Sequence, residues 1–180
     1  MNVLELIDTT IKIGLGGLIG WVSSYTASKL KYEKEKEKYV LDKKTSIFES
    51  SVDELESYFD KLSRTFSILG KIQKSTPLSE DKNITLSEED LSVLKERNSE
   101  LVESWSSRRI AITRLTLLGA EDITSLLYEI KNLEKEFRAV VIFGSGSFTT
   151  ESADKLREDK EFLIDEVRNK MADFYQELMK

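Results

Sequence analysis

Three groups of residues in this chain have types and spacings suited to chemistry. The segment "IKIGLGGLIGW", Ile11 to Trp21, has the Gly-x-Gly spacing of a phosphate-cradling loop at Gly14 and Gly16, followed by Gly17 and Gly20. A dinucleotide loop opens on a strand, leads into a helix, and needs an acidic residue on a second strand about 20 residues later. Here the chain continues "WVSSYTASKLKYEKEKEKYVLDKK" with no second apolar strand, so these glycines are not read as a nucleotide site. The second group, "RNSELVESWSSRRIAITR", gathers Arg97, Arg108, Arg109 and Arg114, whose guanidinium groups suit phosphate or RNA. Glu96, Glu100 and Glu103 lie among them, and the expected role is structural ion pairing. The third group, "FGSGSFTTE", sets a glycine-serine loop before a helix, where free N–H groups can hold an anion. No P-loop lysine follows, which leaves a connector.

Much other chemistry is excluded by composition. The chain has no histidine and no cysteine. Ser-His-Asp, Cys-His and His-Glu-x-x-His sites therefore cannot be assembled, and neither can a disulfide framework nor a thiolate metal site. That suits a reducing compartment. Carboxylate pairs such as Glu54 with Glu56, or Asp165 with Glu166, fall on charged faces and are assigned no metal. No cofactor and no enzymatic activity are expected. Lysine and arginine number 27 against 33 acidic residues, a net charge of −6, which fits exposed helix faces. Direct nucleic-acid binding is not expected.

The elements that carry these residues read as helices throughout, and the fold class expected is all-α. Pro77 is the single proline, and no glycine or proline interrupts Trp21 to Leu69. Ile13 to Ser28 is uncharged and is extended N-terminally by Ile11, Ile7, Leu6 and Leu4. With Lys12 snorkelling, its apolar length approaches the ~20 residues that a bilayer core requires. Residues 1–28 are thus expected to form a single-pass transmembrane helix; the alternative is a buried helix of the bundle. A cleaved signal peptide is not expected, because no positive n-region precedes the apolar run. Met1 to Thr10 lacks Lys and Arg, whereas Lys29, Lys31, Lys34, Lys36, Lys38, Lys43 and Lys44 crowd the other flank. That asymmetry predicts an N-terminus outside and the remainder in the cytoplasm of a bacterial cell, at the inner membrane.

Within this helix, Gly16, Gly20, Ser24 and Ser28 recur at every fourth position and form a stripe on which a second backbone can approach. Self-association is expected there. A second stripe, Leu4, Ile7, Ile11, Leu15, Leu18, Val22 and Tyr25, would face lipid or a partner. Glu5, Asp8 and Lys12 share another side, a candidate polar or pore-facing surface on which Asp8 and Lys12 can pair.

Residues 29–44 form a charged helical neck, and residues 45–180 a cytoplasmic bundle of helices. Phe48, Val52, Leu55, Phe59, Leu62, Phe66 and Leu69 step alternately by four and three, a heptad seam. "STPLSEDKNIT" reads as a loop, and Ser87 with Asp90 as a capping box for a helix that runs from about Glu88 to Gly119. Its inward face comprises Leu91, Leu94, Leu101, Trp105, Ile112 and Leu115, interrupted by Asn98 and Arg108. The next helix buries Ile123, Leu127, Ile130, Leu133, Phe137 and Val141; a connector, Gly144 to Ser147, then leads to a last helix capped by Thr150. Leu156, Leu163, Val167, Met171, Phe174 and Leu178 are expected to line its inner face. The bundle has four helices.

The segment "RNKMAD", Arg168 to Asp173, resembles the motif of HEPN-class ribonucleases, four-helix bundles with an Arg, often followed by Asn, ahead of a His. Arg168 and Asn169 match; Asp173 stands where the histidine would be. With one N-terminal membrane helix and a degenerate HEPN-like bundle, the chain resembles the small membrane accessory proteins of RNA-targeting type VI CRISPR loci. The resemblance implies a homo-oligomeric membrane pore in antiphage defence, with a cytosolic CRISPR effector as partner. Without the histidine, ribonuclease activity is not implied. The expected function is a self-associating membrane protein that permeabilises the bilayer; the alternatives are a membrane-tethered adaptor for a cytosolic protein and a HEPN-like ribonuclease with a degenerate site.

Overall fold

The computed structural model describes residues 3–75, 83–144 and 147–180, with side chains from Gly20 onward except Val22, Ser75, Asn83 and Ser147. The described chain is mostly helical. Its elements are α1 (Val3–Ser75), β1 (Asn83–Thr85), α2 (Glu88–Glu103), α3 (Trp105–Leu118), α4 (Glu121–Phe137), a π-helical turn (Arg138–Ile142), β2 (Ser147–Thr149) and α5 (Thr150–Leu178). Two compact units divide the chain, Met1–Lys43 and Lys44–Lys180.

In the first unit, every described side chain from Trp21 to Val40 is exposed. Trp21 stacks on Tyr25 with ring centroids 5.8 Å apart, and Lys31 lies 3.9 Å from Glu35. Among the described residues no helix is long and apolar enough to cross a membrane. Most of the segment expected to do so, residues 1–28, lies outside the described side chains.

The second unit is built around the C-terminal half of α1. All seam residues from Phe48 to Leu69 are buried apart from half-buried Val52, and Tyr58, Ile68 and Ile72 join them. A seam with this repeat keeps one side of a helix turned inward over several turns, so each neighbour can pack against the same strip. Phe66 stacks on Phe137 of α4 at 4.4 Å, and Phe48 meets Phe174 of α5 at 5.5 Å. Thr65 donates to the Arg97 carbonyl of α2, and Ser50 accepts from Arg114 of α3. This half of α1 therefore touches all four other helices.

Local chemistry explains the helix ends. Ser87 accepts from the Asp90 N–H while the Asp90 carboxylate accepts from the Ser87 N–H, a reciprocal capping box. Gly119 stops α3 in the left-handed conformation at φ 80°, which costs glycine nothing. Ala120 then returns its N–H to the Leu115 carbonyl.

Four details differ from the expected course. The helix expected from Glu88 to Gly119 is divided at Ser104, whose N–H and hydroxyl both donate to the Leu101 carbonyl and tighten the turn there. Asn98 and Arg108, expected to interrupt the inward face, are themselves buried. The cap of α5 is Thr149, not Thr150: its hydroxyl accepts from the Ser152 N–H. Finally, β1 and β2 pair antiparallel where a loop and a connector were expected, with Ile84 opposite Phe148 and both buried. Three-residue strands carry too little alternation to register as a pattern in sequence.

Candidate functional site

A buried ion network and an open cleft meet where α3 packs on α4. Along α3, Trp105, Arg108, Arg109 and Ile112 are spaced to share one helical face, and along α4 so are Tyr128, Lys131 and Glu134. Their register brings the two rows together. Glu134 lies at the bottom, buried, where its Oε1 accepts from the Trp105 indole N–H at 2.6 Å and its Oε2 from the Tyr58 hydroxyl at 2.8 Å. Arg108 Nη1 donates to the same Oε2, and to the Tyr58 oxygen at 2.7 Å. The Arg108 guanidinium also lies over the Tyr58 ring, 4.9 Å from its centre.

The charges offset each other, one carboxylate against one guanidinium. Desolvating two ions is costly, and what makes it tolerable here is that both Glu134 oxygens carry donors. Tyr58 therefore bridges α1 to α3 and α4. Burial, and then the Glu134 charge, push its phenol well above the ordinary tyrosine range, so it remains a protonated donor.

Above the network opens a cleft of about 390 Å³ lined by Trp105, Arg108, Arg109, Ile112, Tyr128 and Lys131, among others. Lys131 sits over the half-exposed Tyr128 ring at 5.6 Å. Neither Arg109 nor Lys131 has a carboxylate partner among the described residues. Arg138 of the π-helical turn lies over the Trp105 and Phe143 rings, at 4.8 and 5.2 Å, and Arg108 over the Trp105 ring at 5.8 Å. The buried Nε of Arg138 has no hydrogen-bond partner.

The arginine cluster is thus distributed rather than convergent. Arg97 pairs with Glu100 at 2.8 Å, as its neighbourhood suggested, but Arg108 reaches across the core to Glu134 and Arg114 to Ser50. Arg168 forms a bidentate pair with Glu56 of α1, at 3.0 and 2.7 Å, with Asp165 a further 3.8 Å contact. The Glu56 hydrogen bond raises the Arg168 pKa above its ordinary value, with burial opposing it and the Glu56 and Asp165 charges adding to it. Asn169 and Asp173 are exposed. Asp173 borders a separate cleft with Asp122, Lys170 and Glu177, and among the described residues no group of side chains is arranged to hold a metal ion.

On α1, Gly20, Ser24 and Ser28 are exposed, and a Cβ added at Gly20 would meet nothing within 4 Å. The side chains of Glu5, Asp8 and Lys12, and the surroundings of Gly16, lie outside the described ones.

Sequence reasoning did not single out Tyr58, Tyr128, Lys131 or Glu134. One signal was there to find: Glu134 falls at the position after Leu127 and Ile130 that an apolar residue should occupy on the inner face of α4. Compared with family models, curated proteins and solved structures, the chain matches none.

Proposed function

We propose that this is a non-enzymatic, membrane-anchored protein that self-associates through its N-terminal helix and permeabilises the membrane, as an accessory of CRISPR-type antiphage defence. The observation that carries the anchoring is the bare first unit. Trp21 and Tyr25, 66% and 60% exposed, continue the uncharged run from Ile13, and Leu30 and Tyr32 are as open. Exposed rings and a leucine on a helix favour lipid or a second copy, and tryptophan and tyrosine favour the headgroup level. The lysines that follow favour a cytoplasmic bundle. The non-enzymatic part is supported by the engagement of Arg168 with Glu56 and by the lack of any histidine.

A second reading, a tether whose bundle docks a cytosolic protein, draws on Leu117 of α3 and Phe162 of α5, 79% and 64% exposed. One experiment addresses anchoring in both. Because the chain has no cysteine, single cysteines at Asn2 and Ser46 can be labelled in intact bacterial cells with a membrane-impermeant thiol reagent. Labelling at position 2 alone is expected; labelling at 46 alone reverses the orientation, and recovery of the protein in the soluble fraction removes the anchor. Depolarisation of cells on induced expression then separates permeabilisation from tethering.

A further inference from the structure

We infer that the cleft between α3 and α4 binds a flat organic anion, an aromatic ring system bearing a phosphate or carboxylate. The cleft has the size of a small-molecule site and opens beside the network in which both Glu134 oxygens accept hydrogen bonds. Its lining contains three cations, Arg108, Arg109 and Lys131, and no carboxylate. Glu134 neutralises one of them from below; Arg109 and Lys131 have no ion-pair partner among the described residues. A concave wall of one sign concentrates its field on whatever enters, which selects an anion.

The remaining lining selects the body of that anion. Ile112 gives an apolar wall and the half-exposed Tyr128 ring an aromatic one, while the Trp105 ring already carries the Arg138 and Arg108 guanidinium groups at 4.8 and 5.8 Å. Trp105 is already fixed in orientation by its indole bond to Glu134, and Lys131 by its position over Tyr128. A ring system held by prearranged aromatic side chains loses little further freedom on binding. The hydroxyl oxygens of Ser106 and Thr113, whose protons are directed to the carbonyls of Glu103 and Arg109, remain available as acceptors for ring N–H or amino groups. A bare inorganic anion would leave the apolar walls unused, and an uncharged ring would leave the cations unused.

The test is calorimetric titration of the full-length protein in detergent with four probes: adenosine 5′-monophosphate, 1-naphthoate, adenosine and inorganic phosphate. At least one of the two aromatic anions is expected to bind saturably, with the other two probes weaker by about tenfold or more. Binding of the nucleotide alone assigns the anion as a phosphate, of naphthoate alone as a carboxylate, and of both as the general class. Arg109→Glu with Lys131→Glu should lower the affinity by about tenfold or more. Arg109→Gln with Lys131→Gln, which adds no repulsion, should weaken it in the same direction and serves if the charge reversal fails to fold. Absence of saturable binding of either aromatic anion up to about 10 mM overturns the inference, as does unchanged affinity in the glutamine pair, or inorganic phosphate binding as tightly as the aromatic anions.

Discussion

Glu134 holds a position where its helix would otherwise be apolar, and its worth depends on three donors from two other elements. Truncating one partner of such a buried pair leaves the other charged and dry. Glu134→Ala should therefore destabilise the bundle by about 3–5 kcal/mol, whereas Glu134→Leu with Arg108→Met should cost far less, because no charge is then buried. Urea unfolding followed by near-ultraviolet circular dichroism measures both; equal losses would mean that Arg108 finds solvent through the cleft. Tyr58 adds a pH dependence of known sign. Its folded pKa is raised above the ordinary value of 10.0, so its stabilisation is fully present below pH 10 and is lost as the pH climbs toward the higher folded value. Above pH 10 the melting temperature should fall more steeply in the wild type than in Tyr58→Phe, and parallel slopes would sever Tyr58 from the network.

The helices, more than the site, were legible in sequence, and the reason lies in periodicity. The seam on α1 repeats for three heptads, the Ser87 box is local, and the stop at Gly119 requires only one residue able to take a positive φ. By contrast, the break at Ser104 depends on a serine hydroxyl that turns back on its own helix, and the ribbon depends on Ile84 meeting Phe148 across the chain. Neither leaves a local pattern. The same holds for Glu134, whose partners lie on α1 and α3; a sequence shows a polar residue on an apolar face but not what satisfies it. The seam itself is testable. Phe59→Ala or Leu62→Ala removes a fully buried side chain and should cost about 2–5 kcal/mol; a loss below about 0.5 kcal/mol would place that face outside the core. Gly144, after the π-helical turn, has no room for a Cβ, which would overlap the Val140 carbonyl oxygen. Gly144→Ala should lower the melting temperature although the residue is exposed, and an unchanged value would show that the turn can relax.

Across the whole molecule, a well-packed bundle is joined to a helix whose described first-unit side chains are nearly all open, so the chain by itself leaves apolar surface unsatisfied. Under the proposed function lipid covers part of that surface and further copies cover the rest, with Gly16 and Gly20 letting backbones approach. Replacing both glycines by leucine raises apolar content and adds bulk on the same stripe, so insertion and assembly should separate. The measurement that bears most directly on this account is the mass of the detergent-solubilised full-length protein by native mass spectrometry, taken for the wild type and for Gly16→Leu with Gly20→Leu. A wild-type assembly of several chains, reduced in the double variant while the protein stays in the membrane fraction, is the predicted result; a wild-type protein with the mass of a single chain would contradict it.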